Sequence, residues 1–152
     1  MSRLLRGSEI AALAKGLIHA PKQIEDWSLA LTACAVFKRV SGGAVDFGGS
    51  EFAPAAKESI APRKLNESDK YGWWELSEGK YIIEFNEELA LPHNCFGILQ
   101  AHPRLVEAGG WHPVRIFVTR DILPRAVPLV VGSEGLRLKE NARISQLIVV
   151  EL

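Results

Sequence analysis

A chain of 152 residues, 47% of them hydrophobic, is long enough for one domain with its own core and too apolar to be disordered. Eighteen Lys plus Arg against eighteen Asp plus Glu leave no net charge, so no overall field recruits nucleic acid or an anionic membrane. Apolar runs fall short of the roughly 20 residues that span a bilayer. Met1–Gly7 carries two arginines with no long apolar stretch behind them, unlike a secretory leader, so a cytoplasmic protein is expected.

Ser8-Glu9 followed by Ile10, Leu13, Ala14 and Leu17 predicts an amphipathic helix with Ser8 as its cap. Gly16 weakens the last turn and Pro21 stops further extension, so residues 1–22 form an N-terminal helical segment. Trp27–Val36 is a nearly continuous apolar run, read as a buried strand that continues through Val40. Ser41-Gly42-Gly43 then turns the chain, and Ala44–Phe47 is expected as the return strand of a hairpin. Residues 50–72, with two prolines and many polar side chains, read as a surface excursion of the same domain rather than a second one.

Trp73–Leu76 is a short extended piece entering the Glu78-Gly79 turn, and Tyr81–Phe85 is a strand of β-branched and aromatic residues. Asn86-Glu87-Glu88 reads as a turn or bulge, and Leu89–Leu91 as extended up to Pro92. Cys95–Gln100 is a further strand, ending in the polar break Ala101-His102-Pro103-Arg104. Val114–Thr119, Val127–Val131 and Ile144–Leu152 complete the extended runs, with Gly132–Gly135 as a hairpin turn. Many short strands and one convincing helix predict a single, mainly β domain over 1–152, a barrel or sandwich. Cys34 and Cys95 each lie within an apolar run and are expected as reduced core residues; without CxxC spacing they support no disulfide framework or zinc site.

Two stretches carry a family likeness. Gly79–Gln100 runs glycine-led strand, polar turn, leucine-proline and a strand of the CFGILQ type; Gly135–Val149 includes Ala142-Arg143-Ile144-Ser145-Gln146-Leu147. In this order and spacing, residues 23–152 resemble the dUTPase and dCTP deaminase superfamily, especially its short archaeal members. The resemblance implies a distorted jelly-roll β-barrel, here with one N-terminal helix, and a homotrimer with sites between subunits.

The positions that carry chemistry in that family depart from its pattern. Where its first motif holds an aspartate for magnesium, the matching strand Trp27–Thr32 has no carboxylate, and Ala30 is the vacant place. Its second motif, proline-arginine-serine-serine with a later arginine, meets His102, Pro103, Arg104 and Glu107 without gaps. A slide by two residues matches Pro103-Arg104 but puts Leu105 and Val106 at the serines. The third-motif carboxylate falls at Val118, and the residues end at Leu152 without a glycine-rich arm. Loss of a positioned general base costs about 10²–10⁴ in rate. A carboxylate in place of an arginine facing triphosphate turns an attraction of up to about 4 kcal/mol into repulsion.

The nucleotide-binding candidates are therefore Gln146, which keeps its family place, with Arg104 and His102 as anion contacts at a basic strand end. Asp121, or Glu25 with Asp26, are the carboxylates that would have to stand in for those missing. His93, His102 and His112 lack zinc spacing, and Trp73, Trp74 and Trp111 are candidates for stacking or for packing. The expectation is a catalytically degenerate relative, a nucleotide-binding, regulatory or structural homotrimer taking a deoxynucleotide and neither nucleic acid nor membrane. It needs no cofactor. The alternatives are an active dUTP diphosphatase or dCTP deaminase with relocated residues, which would need magnesium, and a protein-interaction module.

Overall fold

A computed structural model describes residues 1–118, 123 and 125–152. In chain order the elements are β1 (Arg3–Leu4), α1 (Gly7–Leu13), β2 (Ala14–Lys15), α2 (Ala20–Gln23), β3 (Leu29–Arg39), β4 (Lys57–Ile60), β5 (Trp73–Leu76) and β6 (Gly79–Phe85). There follow β7 (Glu88–Leu89), β8 (Cys95–Ala101), α3 (Pro103–Ala108), β9 (Gly110–Trp111), β10 (Arg115–Val118), β11 (Ala126–Val131), β12 (Leu136–Lys139) and β13 (Arg143–Glu151). No helix among the described residues is long and apolar enough to cross a membrane.

The main sheet is antiparallel and runs β10-β8-β13-β3-β6-β11-β9, with β1 on β13 and β4 on β3. Its two ends, β9 and β10, are joined by residues 112–114 alone. That link reaches about 14 Å at most, so the sheet must curl until its edges nearly meet. This is the mainly β, curled architecture that the sequence predicts. The interior is filled from alternate positions: Leu29, Leu31, Ile83, Phe85, Leu99, Phe117, Leu129 and Leu147 are all buried. Trp74 and Leu138 face the same core from a separate two-stranded sheet, β5 with β12.

Several expectations need correction. Helix α1 begins one residue before Ser8, and Glu9 closes it by accepting the Arg6 N–H at 2.7 Å. It stops at Leu13, because Ala14–Lys15 turns away to pair with β7. Three helices replace the expected one. Pro21 opens α2 rather than only ending a helix, and the polar break at 101–104 is the start of α3. There His102 caps the backbone N–H of Arg104, Pro103 sits where its missing N–H costs nothing, and Gly109 closes the helix at φ 105°.

Ala44–Phe47 is not the return strand. Asp46 bends it by accepting the N–H groups of Gly49 and Glu51 at 3.0 and 2.9 Å, and Val45 and Phe47 stand in solvent. The partner of the outer half of β3 is instead β4, drawn from the 50–72 stretch. Gly132–Gly135 is a turn, but β11 and β12 lie in different sheets and form no hairpin. Cys34 is exposed, not core: it alternates with the inward-facing Leu29, Leu31 and Ala33, and the register slip between Ala33 and Ala35 brings the next inward position to Val36. Cys95 is buried as expected, and burial pushes its thiol up.

Candidate functional site

The tight turn before β3 sets the site. Glu25 donates its N–H to Ser28 O at 3.0 Å, and Ser28 Oγ returns a hydrogen bond to Glu25 Oε1 at 2.9 Å. Gly7 N–H holds the same turn from α1 through Asp26 O at 3.1 Å. These bonds fix the Glu25 carboxylate over the ends of β8 and β13. Gln146 donates Nε2–H to Glu25 Oε1 at 3.2 Å, and its Oε1 accepts from Gln100 of the neighbouring strand at 3.0 Å. His102 Nδ1 accepts the Arg104 N–H at 3.1 Å, so a neutral ring carries its proton on Nε2, which faces Glu25 Oε2 at 3.3 Å.

His102 and Gln146 are thus brought together, and the group they share is Glu25. Partial burial pushes the Glu25 carboxyl up, but the hydrogen bonds from Gln146 and Ser28 and the nearby His102 outweigh it and hold it below the usual range. Gln146 pairs in register with Ala30, which is fully buried, so the position where the family resemblance expects an aspartate lies beside this cluster. Asp26, by contrast, is exposed.

Magnesium, which the family resemblance implies, does not fit these residues. Ala30 offers no ligand, and both Glu25 oxygens already accept from Ser28, Gln146 or His102. Among the described residues no three His, Cys, Asp or Glu side chains gather as a metal seat. His93 is exposed, while His102 and His112 are buried against separate partners.

Arg104 lies elsewhere. It is exposed on α3 and lines a cleft of about 320 Å³ with Trp73, Arg137, Lys139 and Arg143, whose lining includes neither His102 nor Gln146. Glu107 lines a different depression, with Gln100, Trp111 and His112. Trp74 is core; Trp73 and Trp111 reach the surface. Val118 ends β10 with an exposed side chain, and Asp121 lies outside the described residues.

Two buried polar groups escaped the sequence reading. Glu87, 1% exposed, accepts from Thr32 N–H at 2.8 Å, Thr32 Oγ1–H at 2.5 Å and Gln23 Nε2–H at 2.9 Å. Burial pushes its carboxyl up against those three bonds. His112 donates Nδ1–H to Pro113 O at 3.0 Å, leaving Nε2 to accept from Ser145 Oγ–H at 2.7 Å. This bond pins the β9–β10 link onto β13.

Burial pushes the His112 pKa down, the backbone bond to Pro113 only partly opposing it. The unfolded chain takes up a proton near the ordinary histidine value of about 6.5, which the folded chain refuses. The stability His112 confers is therefore full above that value and is lost as pH falls toward the depressed folded value. Urea denaturation at about pH 7.5 and 5.5 is expected to show this loss in the parent protein and a shallower one in His112→Gln.

The curled antiparallel sheet with its small helices is a fold also found among nucleotide enzymes. The 2′-deoxycytidine 5′-triphosphate deaminase of Agrobacterium tumefaciens superposes with a TM-score of 0.71 at 14% identity, over 99% of this chain and 49% of that one. At the level of sequence, probable deoxyuridine 5′-triphosphate nucleotidohydrolases align over most of both chains. That of Methanosarcina acetivorans is 32% identical across 92% of this chain and 79% of its own. That of Methanosarcina mazei is 29% identical across 92% and 79%, and that of Aeropyrum pernix 30% across 80% and 85%. No family model matches. The chain belongs to the deoxyuridine 5′-triphosphate nucleotidohydrolase, or dUTPase, family.

Proposed function

We propose that the protein is a dUTPase-family homotrimer that neither hydrolyses dUTP nor deaminates dCTP, and acts as a nucleotide-binding, regulatory or structural relative. The observation that carries this reading is the employment of Glu25. The donors of Gln146 and His102, where the family resemblance puts nucleotide contacts, are spent on a carboxylate of the same chain. That carboxylate stays ionised, and a phosphate brought beside it meets repulsion rather than a second donor. Self-assembly has its own support. The outer face of β10-β8-β13 carries two apolar rows, Ile116-Ile98-Ile148 and Val118-Phe96-Val150, and Ile116 and Val118 are 64% and 49% exposed.

A rival reading is an active dUTP diphosphatase or dCTP deaminase with relocated residues. It draws on the same carboxylate, since Glu25 stands beside Gln146 across from the vacant Ala30 place. Incubation of the pure protein with dUTP or dCTP and magnesium, with pyrophosphate and ammonia measured, separates the two. The expected result is neither product above a no-protein control. Turnover at ordinary enzymatic rates, abolished in Glu25→Gln, would establish the rival instead.

A further inference from the structure

Arg104 shares its cleft with three other cations, Arg137, Lys139 and Arg143, and no carboxylate lines it. The floor is apolar, with Leu105, Leu136 and Ile144 among its residues. Two of the cations are held in place by an aromatic ring: Arg137 Cζ lies 4.6 Å and Lys139 Nζ 5.4 Å from the Trp73 ring centre. Arg137 meets Glu75 through Nε at 2.8 Å, and Arg143 gives Nη1–H to Lys22 O at 2.9 Å. Among the described residues, neither Arg104 nor Lys139 has a carboxylate partner. With Arg137 already paired to Glu75, the charges of Arg104, Lys139 and Arg143 around about 320 Å³ still repel one another until an anion enters.

A fifth donor is set by a relay that starts in the core. Glu87 accepts the Thr32 hydroxyl proton, so Thr32 Oγ1 accepts from Asn86 Nδ2 at 2.9 Å. Asn86 Nδ2 also donates to Asn141 Oδ1 at 2.9 Å. The oxygen of the Asn141 amide is thereby held toward Asn86, which leaves its NH₂ end over at a residue that lines the cleft. Asn141 stands at φ 65°, a conformation asparagine tolerates better than most residues. Cations and a surplus amide donor over an apolar floor make a seat for a phosphate chain joined to a less polar group.

We propose that this cleft is the protein's nucleotide seat, taking the polyphosphate of a nucleoside di- or triphosphate on Arg104, Arg137, Lys139 and Arg143 with Asn141 as a further donor. The inference rests on the nucleotide-binding part of the function proposed above, but moves the seat away from His102 and Gln146. Free inorganic polyphosphate shares the recognised chemistry, so it is one arm of the test.

Calorimetric titration of the full chain with dUTP, ATP, inorganic tripolyphosphate and deoxyuridine tests it. The variants are Arg104→Glu and Lys139→Glu, both at exposed positions, with Gln146→Leu as the family-site control. Unliganded melting temperatures check that each variant folds. Both triphosphates are expected to bind, deoxyuridine not. Each charge reversal should weaken triphosphate binding by about 10- to 100-fold, the range of charge-assisted contacts, and Gln146→Leu should leave it unchanged. Nucleotides binding more tightly than tripolyphosphate would assign the surplus to the apolar floor, again in favour of the seat. Tripolyphosphate binding without nucleotide binding overturns it. Affinity lost in Gln146→Leu but kept in both charge reversals also overturns the cleft, while leaving nucleotide binding at the family position intact. No affinity for any phosphate compound removes both. The turnover assay reads the non-catalytic part of the proposed function independently.

Discussion

Replacement of Glu87 by alanine is expected to destabilise the protein by about 3 kcal/mol, measured by urea denaturation near neutral pH. The Thr32 N–H and hydroxyl would be left in a dry interior without their acceptor, while Gln23 Nε2 would keep only its bond to Ala30 O, and each such orphan costs about 1–3 kcal/mol. The bonds form one network, so the losses will not simply add. Glu87→Gln keeps the shape and one acceptor oxygen but turns an NH₂ group toward Gln23 Nε2, and should cost less than alanine. Its cost should also depend on pH. Burial raises the folded carboxyl above its unfolded value. The stability Glu87 contributes is therefore full below the ordinary carboxylate range and declines as pH rises through the raised folded value. The gap between the parent protein and Glu87→Gln is expected to narrow as pH rises; a gap that widens would refute the placement of this carboxylate.

Gly7→Ala should be comparably damaging, at about 3 kcal/mol, the upper end for overpacking a tight site. A methyl group there would lie 1.8 Å from the Glu25 carbonyl oxygen and 2.5 Å from that of Ser28, both backbone atoms that cannot rotate away. The turn that aims Glu25 must therefore move, and the effect should reach the site. The side-chain amide resonances of Gln146 are expected to shift in Gly7→Ala and to stay in place in Ser8→Ala. Ser8 is exposed and its side chain caps nothing, so its replacement should change stability by less than about 0.5 kcal/mol. Unmoved Gln146 resonances in Gly7→Ala would separate α1 from the site.

How much of this was readable in the residues differs from element to element. The strands β3, β6, β8, β11 and β13 announce themselves through β-branched, apolar runs, because their pairing and burial depend on those side chains directly. Helix α3 did not, since Pro103 reads as a break unless His102 is recognised as a cap and Gly109 as a left-handed stop. The outward side of Cys34 follows from alternation with Leu31 and Ala33, but an unbroken apolar run hides that phase, and the shift that returns Val36 to the core depends on a strand some fifty residues away.

The site shows the same division. His102 and Gln146 stand out by their places in the family resemblance, and both side chains reach the same carboxylate. The residue they meet, Glu25, looked like an ordinary acidic turn. Glu87 sits in a polar triplet that local pattern assigns to solvent; nothing short of the fold places it against Thr32 and Gln23. The Arg104 side chain opens onto a cleft with Arg137, Lys139 and Arg143, which come from a stretch whose alternation speaks only of strand.

The position of β13 has a consequence for how the protein is made. It lies between β8 and β3 in the sheet, yet it is synthesised after both. Until residues 143–151 leave the ribosome, β3 and β8 each present an unpaired edge lined with apolar side chains, the geometry that invites pairing with another chain. The sheet therefore cannot be completed while the chain grows. Its final closure joins Arg3 to Glu151, the ion pair at 2.6 Å being made between residues 148 positions apart. Ribosome-bound chains arrested before residue 143 should remain protease-sensitive throughout, gaining resistance in a single step once β13 is free to enter the gap.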